Sequence, residues 1–176
     1  HQDVKWTLVF MHQPLWVQAT DPVRWGDVEK LLANRKHTVF AGHRHNYQKF
    51  ERNNANYFML ATTGGGSPLR GPQFGEFDHV VWVTMTAEGP IIANLQLEGV
   101  WDENVMTSET KAAIDALTNA RPIQIEPLYD GSTTTRIKIT NDFDVPLKAT
   151  VKTKFSWSYK SDLDKNELEI APNSVG

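Results

Sequence analysis

Hydrophobic residues follow two regimes along this chain: continuous apolar runs in the first hundred residues and strict alternation near the end. Trp6-Thr7-Leu8-Val9-Phe10-Met11 is a β-branched and aromatic run ending at His12, and predicts a buried strand. Pro14, Pro22 and Gly26 mark a loop, and Val23 to Arg35 predicts a helix with Trp25, Val28, Leu31 and Leu32 on one face. His37-Thr38-Val39-Phe40-Ala41 predicts a second buried strand, ended by Gly42. Strand, helix and strand in this order form a βαβ unit, whose two strands should be parallel neighbours. Tyr57 to Thr62 predicts another strand, running into a stretch from Gly64 to Pro72 too rich in Gly and Pro to be regular. Val80 to Thr86 and Ile91 to Leu97 flank Ala87-Glu88-Gly89-Pro90 and predict a hairpin. Thr107 to Asn119 predicts a helix with Ala113, Ala116 and Leu117 on one stripe.

Beyond Pro122 the pattern changes. Leu147, Ala149, Val151, Thr153, Phe155 and Trp157 alternate with Lys148, Thr150, Lys152, Lys154, Ser156 and Ser158, as in a strand with one wet face. Ile137 and Ile139 also alternate with polar neighbours, and Leu168 and Ile170 start another strand. Five of the six Trp lie in residues 1–101, whereas the tail is rich in Thr, Lys and Asp. The boundary is therefore placed near residue 120, with residues 1–119 as an α/β unit and residues 120–176 as a partial antiparallel β-sandwich module.

Composition narrows the possibilities. The 176 residues are 40% hydrophobic and 22% charged, an ordinary globular mix with enough apolar content for a core. The net charge of −3 announces no nucleic-acid partner. No apolar run is long enough for a membrane-spanning helix. With no cysteine, disulfides, thiolate metal sites and Cys nucleophiles are excluded. The chain opens at His1 directly into a strand-like run and stops at Asn173-Ser174-Val175-Gly176 without a closing element, so it is expected to be a piece of a longer protein. An appended β-sandwich favours a secreted or periplasmic setting, although location stays open.

Three histidines stand out by position. His12 follows the first strand directly, and His43 and His45 follow the second in Gly42-His43-Arg44-His45-Asn46-Tyr47. If the strands are parallel neighbours, all three imidazoles emerge at the carboxyl edge of one sheet, where open α/β sheets bind ligands. A lone His after a strand is usually structural or solvated. Three at two adjacent strand ends favour a metal site and are expected to converge on one cleft. His37 and His79, at strand starts, are expected to be structural, and Trp16, Trp25 and Trp82 to be core or rim.

Other chemistries fit less well. A metallo-β-lactamase-like site needs Asp and His where this chain has Tyr47 and Gln48, and a cupin needs Glu where it has Lys49 and Phe50. Ser67 lies in no nucleophile elbow, and Gly64-Gly65-Gly66 lacks the Lys-Ser/Thr ending of a P-loop.

Met11-His12-Gln13-Pro14-Leu15-Trp16, followed by Gly42-His43-Arg44-His45-Asn46-Tyr47, resembles the last two motifs of calcineurin-like metallophosphoesterases, the purple acid phosphatase branch in particular. The stretch from Tyr57 into Thr63-Gly64-Gly65-Gly66-Ser67-Pro68-Leu69-Arg70-Gly71 is also similar to the next segment of that family, so the likeness covers roughly residues 5–100. The resemblance implies the C-terminal half of a four-layer α-β-β-α sandwich, followed by a partial Ig-like module. It implies hydrolysis of phosphate mono- or diesters by hydroxide held between two divalent or trivalent ions (Fe, Zn or Mn) about 3.5–4 Å apart. His12 and His43 would bind one ion and His45 the other. Arg44 and Arg70 are candidates for touching substrate phosphate, and Asn46 and Tyr47 for orienting the His loop. The family's Asp-x-His, Gly-Asp-x-x-Asp and Gly-Asn-His motifs are missing, since Gly26-Asp27 leads into Val28-Glu29-Lys30 inside a helix. The chain thus supplies half a site, and its partners would be a phosphoester substrate and the missing N-terminal half of the same domain. The rival reading is a non-enzymatic protein with a vestigial metal site and a carbohydrate- or protein-binding β-sandwich. A third is a single-ion site built from His12, His43, His45 and water.

Overall fold

The computed structural model describes residues 3–20, 23–126, 136–151 and 167–176. Among the described residues strands dominate over two α-helices, and the strands form several sheets. The chain divides into two compact units, His1–Ile114 and Asp115–Gly176.

In the first unit, β1 (Thr7–Met11), α1 (Trp25–Leu32) and β2 (His37–Ala41) form the expected βαβ unit, with β1 and β2 parallel from Thr7 opposite His37 to Met11 opposite Ala41. β3 (Gln48–Arg52) and β4 (Ala55–Met59) come next, β4 running parallel to β2 and antiparallel to β3, which gives the sheet order β1-β2-β4-β3. The β3–β4 hairpin is an addition to the elements the sequence pattern predicts. Its turn is Asn53-Asn54, both at positive φ (50° and 58°), the backbone a two-residue hairpin requires.

Alternation along β2 and β4 sends side chains to two cores, because both faces of this sheet are covered. Val39, Ala41, Tyr57 and Met59 pack with Trp16 and Trp25 on the helical side. Phe40 and Phe58 point the other way, where with Tyr47, Phe77, Ile92 and Met106 they meet a second sheet. That sheet is an antiparallel meander of β5 (Val80–Met85), β6 (Pro90–Gln96) and β7 (Gly99–Asp102). The expected hairpin is therefore present with a third strand added. Of the three expected loop markers, Pro14 precedes the first helical turn, Gly26 falls inside α1 rather than in a loop, and Pro22 lies outside the described residues.

Two helical stripes need correction. In α1, Trp25 and Leu32 are buried, but Leu31 is 77% and Val28 38% exposed. Glu29 takes the inward place instead, because Arg52 on β3 grips its carboxylate from Nε at 3.1 Å and Nη2 at 3.2 Å. In α2 (Ser108–Ala120) the less exposed positions are Ile114 and Leu117 rather than Ala113 and Ala116, and Ile114 packs onto the second core. Trp82 is 62% exposed on the outer face of β5.

In the second unit, β8 (Ile123–Ile125), β9 (Ile137–Asn141) and β12 (Ser174–Val175) form one antiparallel sheet, and β10 (Leu147–Thr150) pairs antiparallel with β11 (Glu167–Ile170). Half-buried Leu147 and Ala149 alternate with exposed Lys148 and Thr150, as the period-2 pattern requires. Residues 152–158 of that predicted strand lie outside the described residues. Asn141 is fully buried and its amide donates to the carbonyls of Val145, Ile170 and Ala171, tying β9 to the end of β11.

Candidate metal centre

The parallel register continues one step past the strands: the Gly42 N–H donates to the His12 carbonyl at 3.0 Å. His12 and His43 are thereby placed at the same carboxyl edge. A short 3-10 helix, Leu15–Val17, holds the chain beyond His12, because Trp16 is buried against Tyr57 with ring centroids 5.2 Å apart. His43 and His45 both sit in the left-handed region (φ 74° and 56°), which non-glycine residues rarely occupy and which concentrates at functional sites.

The His12 and His43 rings meet edge to face, with centroids 4.9 Å apart. His12 Nε2 lies 3.0 Å from His43 Nδ1, and both side chains are exposed. That spacing suits a hydrogen bond between one protonated and one bare nitrogen. It also suits two ligands of a single ion, since nitrogens about 2.1 Å from a metal at 90–110° are roughly 3.0–3.4 Å apart. The separation of the donor pair is therefore that of two ligands of one ion.

His45 behaves differently. Its Nδ1 lies 2.5 Å from the Gly66 carbonyl oxygen. A carbonyl only accepts, so this bond places the proton on Nδ1 and leaves Nε2 as a free lone pair, the arrangement that supports a ligating imidazole. The three rings do not close into one cluster, contrary to expectation. Among the described residues no three His, Asp or Glu side chains gather into a group able to hold a metal ion. The cause is local: two left-handed residues flank Arg44, and the Gly66 carbonyl engages the His45 ring.

The loop from Gly64 to Gly75 is tied to the His loop twice, at Gly66 through His45 and at Gly75, whose carbonyl accepts the Tyr47 N–H at 2.7 Å. Tyr47 is fully buried, and its hydroxyl donates to the Glu103 carbonyl at 2.7 Å. Burial pushes the Tyr47 phenol well above its ordinary range, so it stays a donor. This anchoring suits the orienting role expected of Tyr47, whereas Asn46 is half-buried. Gly75 holds φ at 68°, and a Cβ there would lie 2.3 Å from the Tyr47 carbonyl oxygen. Gly75→Ala should therefore cost roughly 1–3 kcal/mol from backbone conformation alone, with the clash adding to it. Thermal denaturation and faster amide exchange at Tyr47 would record the loss.

The arginines part company. Arg44 is exposed between the two His43 and His45 backbones and free to meet an anion. Arg70 is already engaged: its Nε and Nη2 bind the two Glu76 oxygens at 2.8 and 2.5 Å, and its guanidinium lies 4.3 Å from the Phe74 ring centroid. The Glu76 carboxyl is held below its usual range by that guanidinium. Arg70 thus braces the loop in this structure.

His37 and His79 are buried, as structural residues are. His79 Nε2 accepts the Ala61 N–H at 3.1 Å, so its Nδ1–H donates to Asn94 Oδ1 at 2.8 Å. Burial lowers its pKa and keeps it neutral. No family model matches the chain, and neither a curated protein nor a solved structure matches it.

Proposed function

We propose that this chain is the C-terminal part of a calcineurin-like metallophosphoesterase domain, of the purple acid phosphatase-like branch, followed by part of an Ig-like β-sandwich. The complete protein would hydrolyse phosphate mono- or diesters at a dinuclear centre of Fe, Zn or Mn. One observation carries the reading: two imidazole nitrogens 3.0 Å apart at the carboxyl edge of parallel strands β1 and β2, within the two motifs that resemble the family. The layering supports it, since a helix covers one face of the first sheet and a second sheet the other, as half of an α-β-β-α sandwich would require. The paired antiparallel sheets of the second unit support the appended module.

His12 Nε2 and His43 Nδ1 would hold one ion and His45 Nε2 the other. Bound, the ions would supply Lewis acidity and a nucleophile at neutral pH. Arg44 would receive phosphoryl oxygens through its planar fork of donors. The loop of Gly64 to Gly75 would keep the His loop from rearranging when charge develops beside it.

Neutral imidazoles cannot offset the repulsion of two cations a few ångströms apart, which anionic ligands must do. Residues 1–176 alone should therefore show no turnover of a generic aryl phosphate with Zn²⁺, Mn²⁺ or Fe added. A longer protein carrying the Asp- and Asn-bearing motifs upstream should bind about two metal equivalents and turn over. One equivalent would indicate the single-ion site, and none the non-enzymatic protein. Robust metal-dependent hydrolysis by residues 1–176 alone would overturn the assignment.

A further inference from the structure

Asp78 closes the loop that carries the His45 partner. Its Oδ1 accepts the Thr62 hydroxyl at 2.5 Å and the Gly64 N–H at 2.9 Å. The backbone seals the same junction: Thr62 and Asp78 form an isolated parallel bridge, the His79 N–H donates to the Thr62 carbonyl at 2.9 Å, and the Thr63 hydroxyl donates to the His79 carbonyl at 2.7 Å. Two residues beyond Gly64 lies Gly66, whose carbonyl engages His45. Gly64 itself is at φ 76°, and all three glycines of this turn are exposed, so little packing holds it in place. The carboxylate is the strongest acceptor at the junction, and charged acceptors make shorter and stronger bonds than neutral ones.

We infer that Asp78 is a positioning residue for His45: by fixing the Thr62–Gly64 end of the turn, it aims the Gly66 carbonyl at Nδ1 and thereby sets which ring nitrogen is left bare. The inference deepens the proposed metal centre and rests on it for its purpose, but the hydrogen-bond relay exists without any ion. A carboxylate outside the ligand set thus reaches the site through a backbone carbonyl rather than by touching the ring. Removing such an outer support of a metal ligand typically costs 10–100-fold in affinity or activity.

The decisive measurement is the tautomer of His45, read by long-range ¹H–¹⁵N correlation of its ring in residues 1–176, without metal, at a pH where the imidazole is neutral. The proton should reside on Nδ1 in the unsubstituted chain. Asp78→Ala should transfer most of the population to the Nε2–H form, while Asp78→Asn, which keeps an acceptor oxygen at the same place, should restore Nδ1–H. Thr62→Val removes one donor to the carboxylate with little change of shape, and should shift the tautomer partway even if Asp78→Ala fails to fold. An Nε2–H form in the unsubstituted chain, or an unchanged tautomer in both Asp78→Ala and Thr62→Val, would overturn the inference. Because no metal enters the readout, its failure is distinct from failure of the phosphoesterase assignment, which the turnover assay decides separately.

Discussion

Replacing Phe58 with alanine should lower the unfolding free energy by about 3–5 kcal/mol, the range for truncating a buried aromatic. Phe58 is fully buried on β4, whose neighbours are β2 on one side and β3 on the other. Its ring stacks on Phe40 with centroids 5.3 Å apart and approaches Tyr47 at 6.4 Å, so one side chain joins the first sheet to the foot of the His loop. Truncation leaves a cavity that rigid strands around it cannot collapse into. Since whole domains are stable by only about 5–15 kcal/mol, a large share of the fold's margin would go. Phe10 provides the contrast within the same stack: its ring lies 5.3 Å from Phe40, but the residue is 71% exposed on the edge strand β1. Phe10→Ala should cost less than about 1 kcal/mol, because little apolar area leaves or enters water. Urea denaturation followed by tryptophan fluorescence measures both, and equal losses for the two would contradict a core centred on Phe58.

What the sequence conveyed depended on how locally each feature is determined. β1, β2 and the parallel βαβ unit were legible because unbroken apolar runs between polar boundaries leave few alternatives. The β3–β4 hairpin was hidden by the charges of Lys49, Glu51 and Arg52, although Asn53-Asn54 was a turn signal in plain view. Lys49 reads as a surface residue until Glu103 and Asn104 are brought to it, at 2.6 and 2.9 Å, by a chain segment more than fifty residues away. The inward turn of Glu29 has the same origin, since its partner Arg52 comes from another element. Within the candidate site, the adjacency of His12 and His43 followed from strand order alone. The turning of His45 toward Gly66 did not, because it depends on left-handed backbone at two non-glycine residues and on a loop that no periodicity describes. Gly66, Gly75 and Asp78 were missed for that reason: their roles exist only between segments.

In the proposed metallophosphoesterase, His43→Ala should lower kcat by more than about 100-fold, since losing a ligand must exceed the 10–100-fold typical of losing a ligand's support. His12→Ala should do the same. The informative quantity is their combination. If His12 Nε2 and His43 Nδ1 hold the same ion, either substitution abolishes that ion's hold, and the double variant should be scarcely worse than either single one. Residues acting as a unit are strongly non-additive in this way. His45 is assigned to the other ion, so His45→Ala should likewise disable turnover while sparing one metal equivalent, a difference that metal analysis of the purified variants would reveal. His79 cannot serve as a neutral control for this series. It is buried, it accepts the Ala61 N–H and it donates to Asn94, so its loss strands two partners and destabilises the fold. Leu97, fully exposed after β6, is the appropriate control, and Leu97→Ala should leave turnover unchanged. Multiplicative losses from His12→Ala and His43→Ala would mean that the two rings act independently, and that their 3.0 Å approach is a hydrogen bond rather than the grip on one ion.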